Sequence, residues 1–180
     1  MKLKNIQIAG FVFTIVVGTL LHFTYEWSGE SAFIGAFSAV NESVWEHLKM
    51  LSVPMLLFGI AEYFLYGSKK ANFIPIRLLS IILGMTLIVT VFYTYSGILG
   101  KHIPIVDILL FVAAAFISYR YSYTMLRTDK LNSKFAVALA IFGLIMLVSC
   151  FIIFTFKPPH IGLFQDPISG YFGIAAIKVR

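Results

Sequence analysis

The chain has 180 residues, of which 59% are hydrophobic and only 12% charged, and its mean hydropathy is +0.91. A soluble domain carries about a quarter charged residues, so water is excluded as its main solvent. The net charge of +6 does not point to nucleic acid, because membrane orientation accounts for the basic residues, and the single Cys150 excludes both an intrachain disulfide and a cysteine-based metal motif.

The chain opens with Met1-Lys2-Leu3-Lys4 and an apolar run, which superficially resembles a secretory signal. The only sequence resembling a cleavage site, Ala36-Phe37-Ser38, lies well beyond that run, so Ile6 to Tyr25 is expected to remain as a first spanning helix. Its far end carries His22 and Glu26, four residues apart and hence on one face. Gly18, one turn below His22, leaves room for a neighbouring helix.

A short apolar stretch, Ser31 to Val40, cannot cross about 30 Å of hydrocarbon and is expected to lie in the interface or to re-enter. The densest polar segment follows, Asn41-Glu42-Ser43-Val44-Trp45-Glu46-His47-Leu48-Lys49. Ser43 with Glu46 is a capping-box pattern opening a helix, and Trp45 suits an interfacial anchor. Capping does not explain Glu42 and Glu46 one turn apart, since like charges at that spacing repel unless a cation, Lys49 or a metal, lies between them.

The second span is expected over Val44 to Tyr66, with a kink at Pro54 and with Glu62 paired to Lys69, Lys70 or Arg77. The third covers Phe73 to Tyr95, where Thr86, Thr90 and Thr94 form a stripe that either packs or lines a path from the site. The fourth, Ile103 to Met125, opens with Lys101-His102-Ile103-Pro104 and places Asp107 about 7 Å inside. An acid at that depth normally faces a polar interior. His102 lies about 140° round the helix from Asp107 and need not share its partner. The fifth span covers Phe135 to Phe156, and the paired prolines Pro158 and Pro159 end it. The tail that follows holds His160 and a turn signal at Asp166-Pro167; it reads either as a lid over the site or as an ordered interfacial loop.

Five spans make this an all-α polytopic membrane bundle, one domain over residues 1–174, with a short extension over 175–180. With the N-terminus inside, the inner face holds Lys2, Lys4, Lys69, Lys70, Arg77, Arg120, Arg127, Lys130 and Lys134, against Lys49, Lys101, Lys157, Lys178 and Arg180 outside. The positive-inside rule therefore places the N-terminus inside and the C-terminus outside. All four histidines then fall at the outer face, together with Glu26, Glu30, Glu42, Glu46, Asp107 and Asp166.

The segments Leu21 to Gly29, Phe37 to Lys49, and Phe154 to His160 with Leu163 to Pro167 and Gly170 to Ile174 resemble a family of small bacterial membrane proteins classed as a domain of unknown function. The resemblance covers about residues 5–174 and implies a bacterial inner-membrane location and no known chemistry.

Imidazoles and carboxylates together suit zinc or another divalent metal. A metal-dependent hydrolase of a lipid or lipid-linked substrate would use His22, His47 and Asp107 as ligands, His160 as a fourth, and Glu46 or Glu26 as base. Asn41, Glu42, Lys49, His102 and Asp166 are the remaining candidates on that face. An ion-coupled transporter would instead titrate Glu26, Glu46 and Asp107, with the threonine stripe and Glu62 marking a way inward. A membrane binding or scaffold protein would use the same face to hold a partner or a lipid head group. Membrane lipid is the expected partner in each case, and a homodimer would offset the small size.

Overall fold

In hydrocarbon the backbone has no water to bond, so each apolar run must satisfy its own amides as a helix. The computed structural model describes residues 2–174, and the chain folds in order as α1 (Leu3–Trp27), a one-turn α2 (Ala32–Gly35), α3 (Val44–Leu65), α4 (Phe73–Leu99), α5 (Pro104–Met125) and α6 (Lys134–Phe156). Short 3-10 turns lie at Gly67–Lys69 and Gly162–Phe164. All the helices but α2 are long and apolar enough to cross a membrane, which makes this a multi-pass membrane protein. The expected extension over 175–180 lies outside the described residues.

Four helices close a ring in which α1 packs on α3, α3 on α4, α4 on α5 and α5 back on α1. Leu48, Leu51 and Met55 of α3, Ile81 and Ile88 of α4, and Ala114 and Ala115 of α5 fill its centre. The helix α6 packs outside the ring against α4, leaving Phe135, Leu139, Phe142, Ile145 and Ile153 exposed. So long an exposed apolar face belongs in lipid rather than water.

The local signals explain the helix ends. Ser43 caps α3 by accepting from the Glu46 N–H, and Ser133 caps α6 by accepting from Ala136 N–H at 3.1 Å. Pro104 opens α5 at a position where its missing N–H costs nothing, and Gly100, with φ of 69°, ends α4 in the left-handed region. Between α1 and α3 the stretch expected to stay at the interface forms α2 and turns back, so that the polar segment 41–49 returns to the end of α1.

At the opposite end of the bundle α3 carries Glu62, fully buried, and its partner is Arg77 of α4 rather than either lysine. Gln7 of α1 donates to the same carboxylate, and so does the Tyr66 hydroxyl, at 2.7 Å. The Arg77 guanidinium also lies 5.3 Å from the centre of the Tyr119 ring, whose hydroxyl meets Thr14 at 3.0 Å. Gln7, Thr14, Arg77 and Tyr119 are all buried, so four helices of the ring are joined by one polar network.

Candidate functional site

Where α1 and α3 cross, two backbone features coincide. Pro54 lies inside α3 and has no N–H to give the Met50 carbonyl, four residues earlier. That carbonyl faces Gly18 of α1, at the position a side chain's first carbon would occupy, with Phe111 of α5 2.9 Å from the same point. A glycine hydrogen directed at a freed carbonyl is a weak hydrogen bond, and it allows the two helices to touch backbone to backbone. One turn above Gly18 stands His22; three residues before Met50 stands His47.

The two imidazole rings consequently lie 5.4 Å apart, tilted by 38°. Glu42, from the loop leading into α3, completes the group: its Oε1 is 3.8 Å from His22 Nε2 and its Oε2 is 3.5 Å from His47 Nε2. Among the described residues these three form a group whose ligand atoms all lie within 4.8 Å of one another. All three side chains are partly exposed, at 29%, 39% and 33% for His22, Glu42 and His47. The separations exceed a hydrogen bond but approach the spacing of about 3.3 Å between donors on a tetrahedral zinc with bonds of about 2.0–2.1 Å.

The His47 ring is also oriented. Its Nδ1 lies 2.9 Å from the Ser43 carbonyl, which can only accept, so Nδ1 carries a proton and Nε2, the nitrogen that faces Glu42, is the one left to serve as a ligand. Ligating histidines are usually held by such a bond to a backbone carbonyl. The His22 Nδ1 is buried without a protein partner. The group can therefore hold a cation with two nitrogens and a carboxylate, leaving one or more positions open.

The other predicted residues occupy different places. Asp107 bonds the Tyr95 hydroxyl and, at 3.0 Å, His102 Nδ1, and it is not part of the His22 group. The angular argument that separated His102 from Asp107 does not apply, because His102 precedes the helix, on extended chain before Pro104. His160 stacks on Phe172, with ring centres 4.6 Å apart, and is likewise outside the group. Glu26 is exposed on α1 one turn beyond His22. The threonine stripe of α4 is exposed, with Thr94 bonded to the Thr90 carbonyl at 2.6 Å, so it faces away from the ring.

Glu46 and Lys49 form a fully buried ion pair at 2.7 Å. The Lys49 ammonium also donates to the carbonyls of Gly35 at 2.9 Å and Ser38 at 3.1 Å, and to the Thr155 hydroxyl of α6. Glu46 also accepts from the Val40 N–H at 3.0 Å, and its other oxygen lies 3.4 Å from the Thr155 hydroxyl. A carboxylate so engaged is bound to its neighbours rather than open to a substrate. Thr155 is a member the sequence did not single out; a polar residue next to the last position of the most apolar span was its signal.

The tail is ordered. Phe164 is buried against Trp45 and Phe154, with ring centres 4.9 and 5.3 Å away. Asp166 is also buried, and accepts from Ile168 N–H and Ser169 hydroxyl, so it closes its own turn. Asn41 ties this tail to the site, donating to the Gly173 carbonyl at 3.0 Å while accepting from Ser43 N–H at 2.9 Å.

No curated protein and no solved structure matches this chain. Matching over residues 1–174, the chain belongs to the family of unknown function DUF6512.

Proposed function

We propose that His22, Glu42 and His47 bind a divalent transition metal, zinc by the chemistry of the donors, and that the protein is a hydrolase acting on a lipid or lipid-linked substrate. The observation that carries this reading is the convergence of the three side chains from α1, the α2–α3 loop and α3. A metal there would lower the pKa of a coordinated water toward neutrality and polarise a carbonyl or phosphoryl oxygen. Glu26 is then the candidate base, since Glu46 is engaged by Lys49. The distribution of basic residues supports a site on the outer face of the membrane, which the family resemblance makes a bacterial inner membrane. Exposed Phe23 and Trp27, stacked 5.7 Å apart beside His22, support access from the lipid head-group region.

Elemental analysis of the purified protein beside His22→Ala, His47→Ala and Glu42→Gln tests the metal. Near-stoichiometric zinc, lost in all three while the fold persists, is the expected result. Metal-free protein prepared without chelators overturns it. Hydrolysis of labelled lipid that disappears in Glu26→Gln tests the chemistry, and unchanged turnover removes Glu26 as base.

The buried Glu62–Arg77 network favours a second reading, ion-coupled transport, because charges inside a membrane commonly mark ion paths. Solute flux in proteoliposomes, abolished by Glu62→Gln in folded protein, would select it.

A further inference from the structure

We infer that the C-terminal tail is a clasp that holds Glu42 in ligand position, with Asn41 as the positioning residue between them. The inference rests on the metal reading above and adds to it the device that sets the third ligand.

His22 and His47 stand on helices that fix them, but Glu42 stands on a loop. Something must hold that loop, since a mobile carboxylate would bind a cation weakly. Its two chain neighbours do this. Ser43 is locked as the cap of α3, and its carbonyl holds His47 Nδ1. Asn41 uses both ends of its amide: Oδ1 accepts from Ser43 N–H, closing a tight turn around Glu42, and Nδ2 donates to Gly173 O in the tail. Asn41 is itself buried, at 9% exposure, so the link is shielded from competing water.

The tail can bear that role because it is anchored ahead of the link and at the link itself. Phe164 sits in the pocket of Trp45 and Phe154. Gly173, with φ of 61°, approaches α6 so closely that an added side-chain carbon would lie 2.6 Å from the Thr155 carbonyl. Only glycine fits both that conformation and that contact. The tail thereby connects the end of α6 to the ligand loop.

Three variants of the full chain, titrated in detergent with cobalt(II) as a visible probe of site geometry, test this. Asn41→Ala and Gly173→Ala act from opposite sides of the link and touch no ligand. Each is expected to weaken cobalt binding about 10–100-fold and to alter its visible spectrum, the range typical of partners that orient metal ligands. Asn41→Asp is the decisive variant should either of those fail to fold. Its carboxylate still accepts from Ser43 but cannot donate to Gly173, and its added negative charge by itself would attract the cation. Weaker binding by Asn41→Asp therefore supports the clasp. Unchanged or tighter binding overturns it while leaving the metal site standing. A wild-type protein that takes up no cobalt removes the metal reading and the clasp with it.

Discussion

Gly18 of α1 stands against the carbonyl of Met50 in α3, the carbonyl that Pro54 leaves without its helical donor. This contact sets the depth at which the two helices cross, and so the distance between His22 and His47. Gly18→Ala is expected to cost about 1–3 kcal/mol, the usual range for overpacking. It should also weaken metal binding without touching a ligand, measured by thermal unfolding in detergent and by zinc titration. Unaltered stability would mean that the crossing is set elsewhere.

Lys49 and Glu46 predict an asymmetry. Lys49→Met leaves a buried carboxylate uncompensated and is expected to cost about 3–5 kcal/mol, whereas Lys49→Met with Glu46→Leu should recover much of that loss. Unfolding midpoints of Lys49→Met, Glu46→Leu and the double variant decide the matter; a double loss equal to the sum of the two single losses would show that the pair carries no coupling.

The Glu62 network should respond in graded fashion. Tyr66→Phe removes one of its three donors and is expected to cost about 1.5–3 kcal/mol, the value of a hydrogen bond to a charged group. Arg77→Met removes the counter-charge and should cost more, about 3–5 kcal/mol. The reverse order, measured under the same detergent conditions, would place the countercharge elsewhere.

Metal binding should weaken as pH falls. Imidazoles coordinate only when neutral, so each ligating histidine must release any bound proton before the cation enters. With two histidines in the site, the logarithm of the affinity should fall toward a slope of about two per pH unit in acid. Zinc release followed with a fluorescent chelator reads this slope, and a flat profile would exclude histidine ligation.

Phe164→Ala is expected to detach the tail at a cost of about 3–5 kcal/mol, the usual loss for a buried phenylalanine. Hydrogen exchange should then rise in residues 162–173 ahead of the helices. Exchange rising uniformly would show that tail and bundle unfold as one.

Much of the bundle was legible in the chain. The apolar runs gave the five spans, Ser43 gave the start of α3, and Gly18 gave a close approach, because each is decided by local physics: run length, capping chemistry and the absence of a side chain. The partners were less legible. Glu46 and Glu42 look alike in sequence, yet one is fully buried against Lys49 and the other faces two histidines. The return path of the α2 loop decides between them, and no periodicity encodes it. Helical spacing placed His102 away from Asp107, whereas extended chain before Pro104 brings them together. Glu62 had three basic residues within reach, and the packing of α3 on α4 selected Arg77.

The order in which the chain is made gives the Lys49 contacts a further meaning. Gly35, Ser38 and Glu46 are already present when Lys49 is synthesised, but Thr155 arrives only with the last span. A nascent chain halted before α6 therefore holds an ammonium in its interior with one of its partners missing. Completion of the final helix is registered, through one hydroxyl, at the charge buried beside the site.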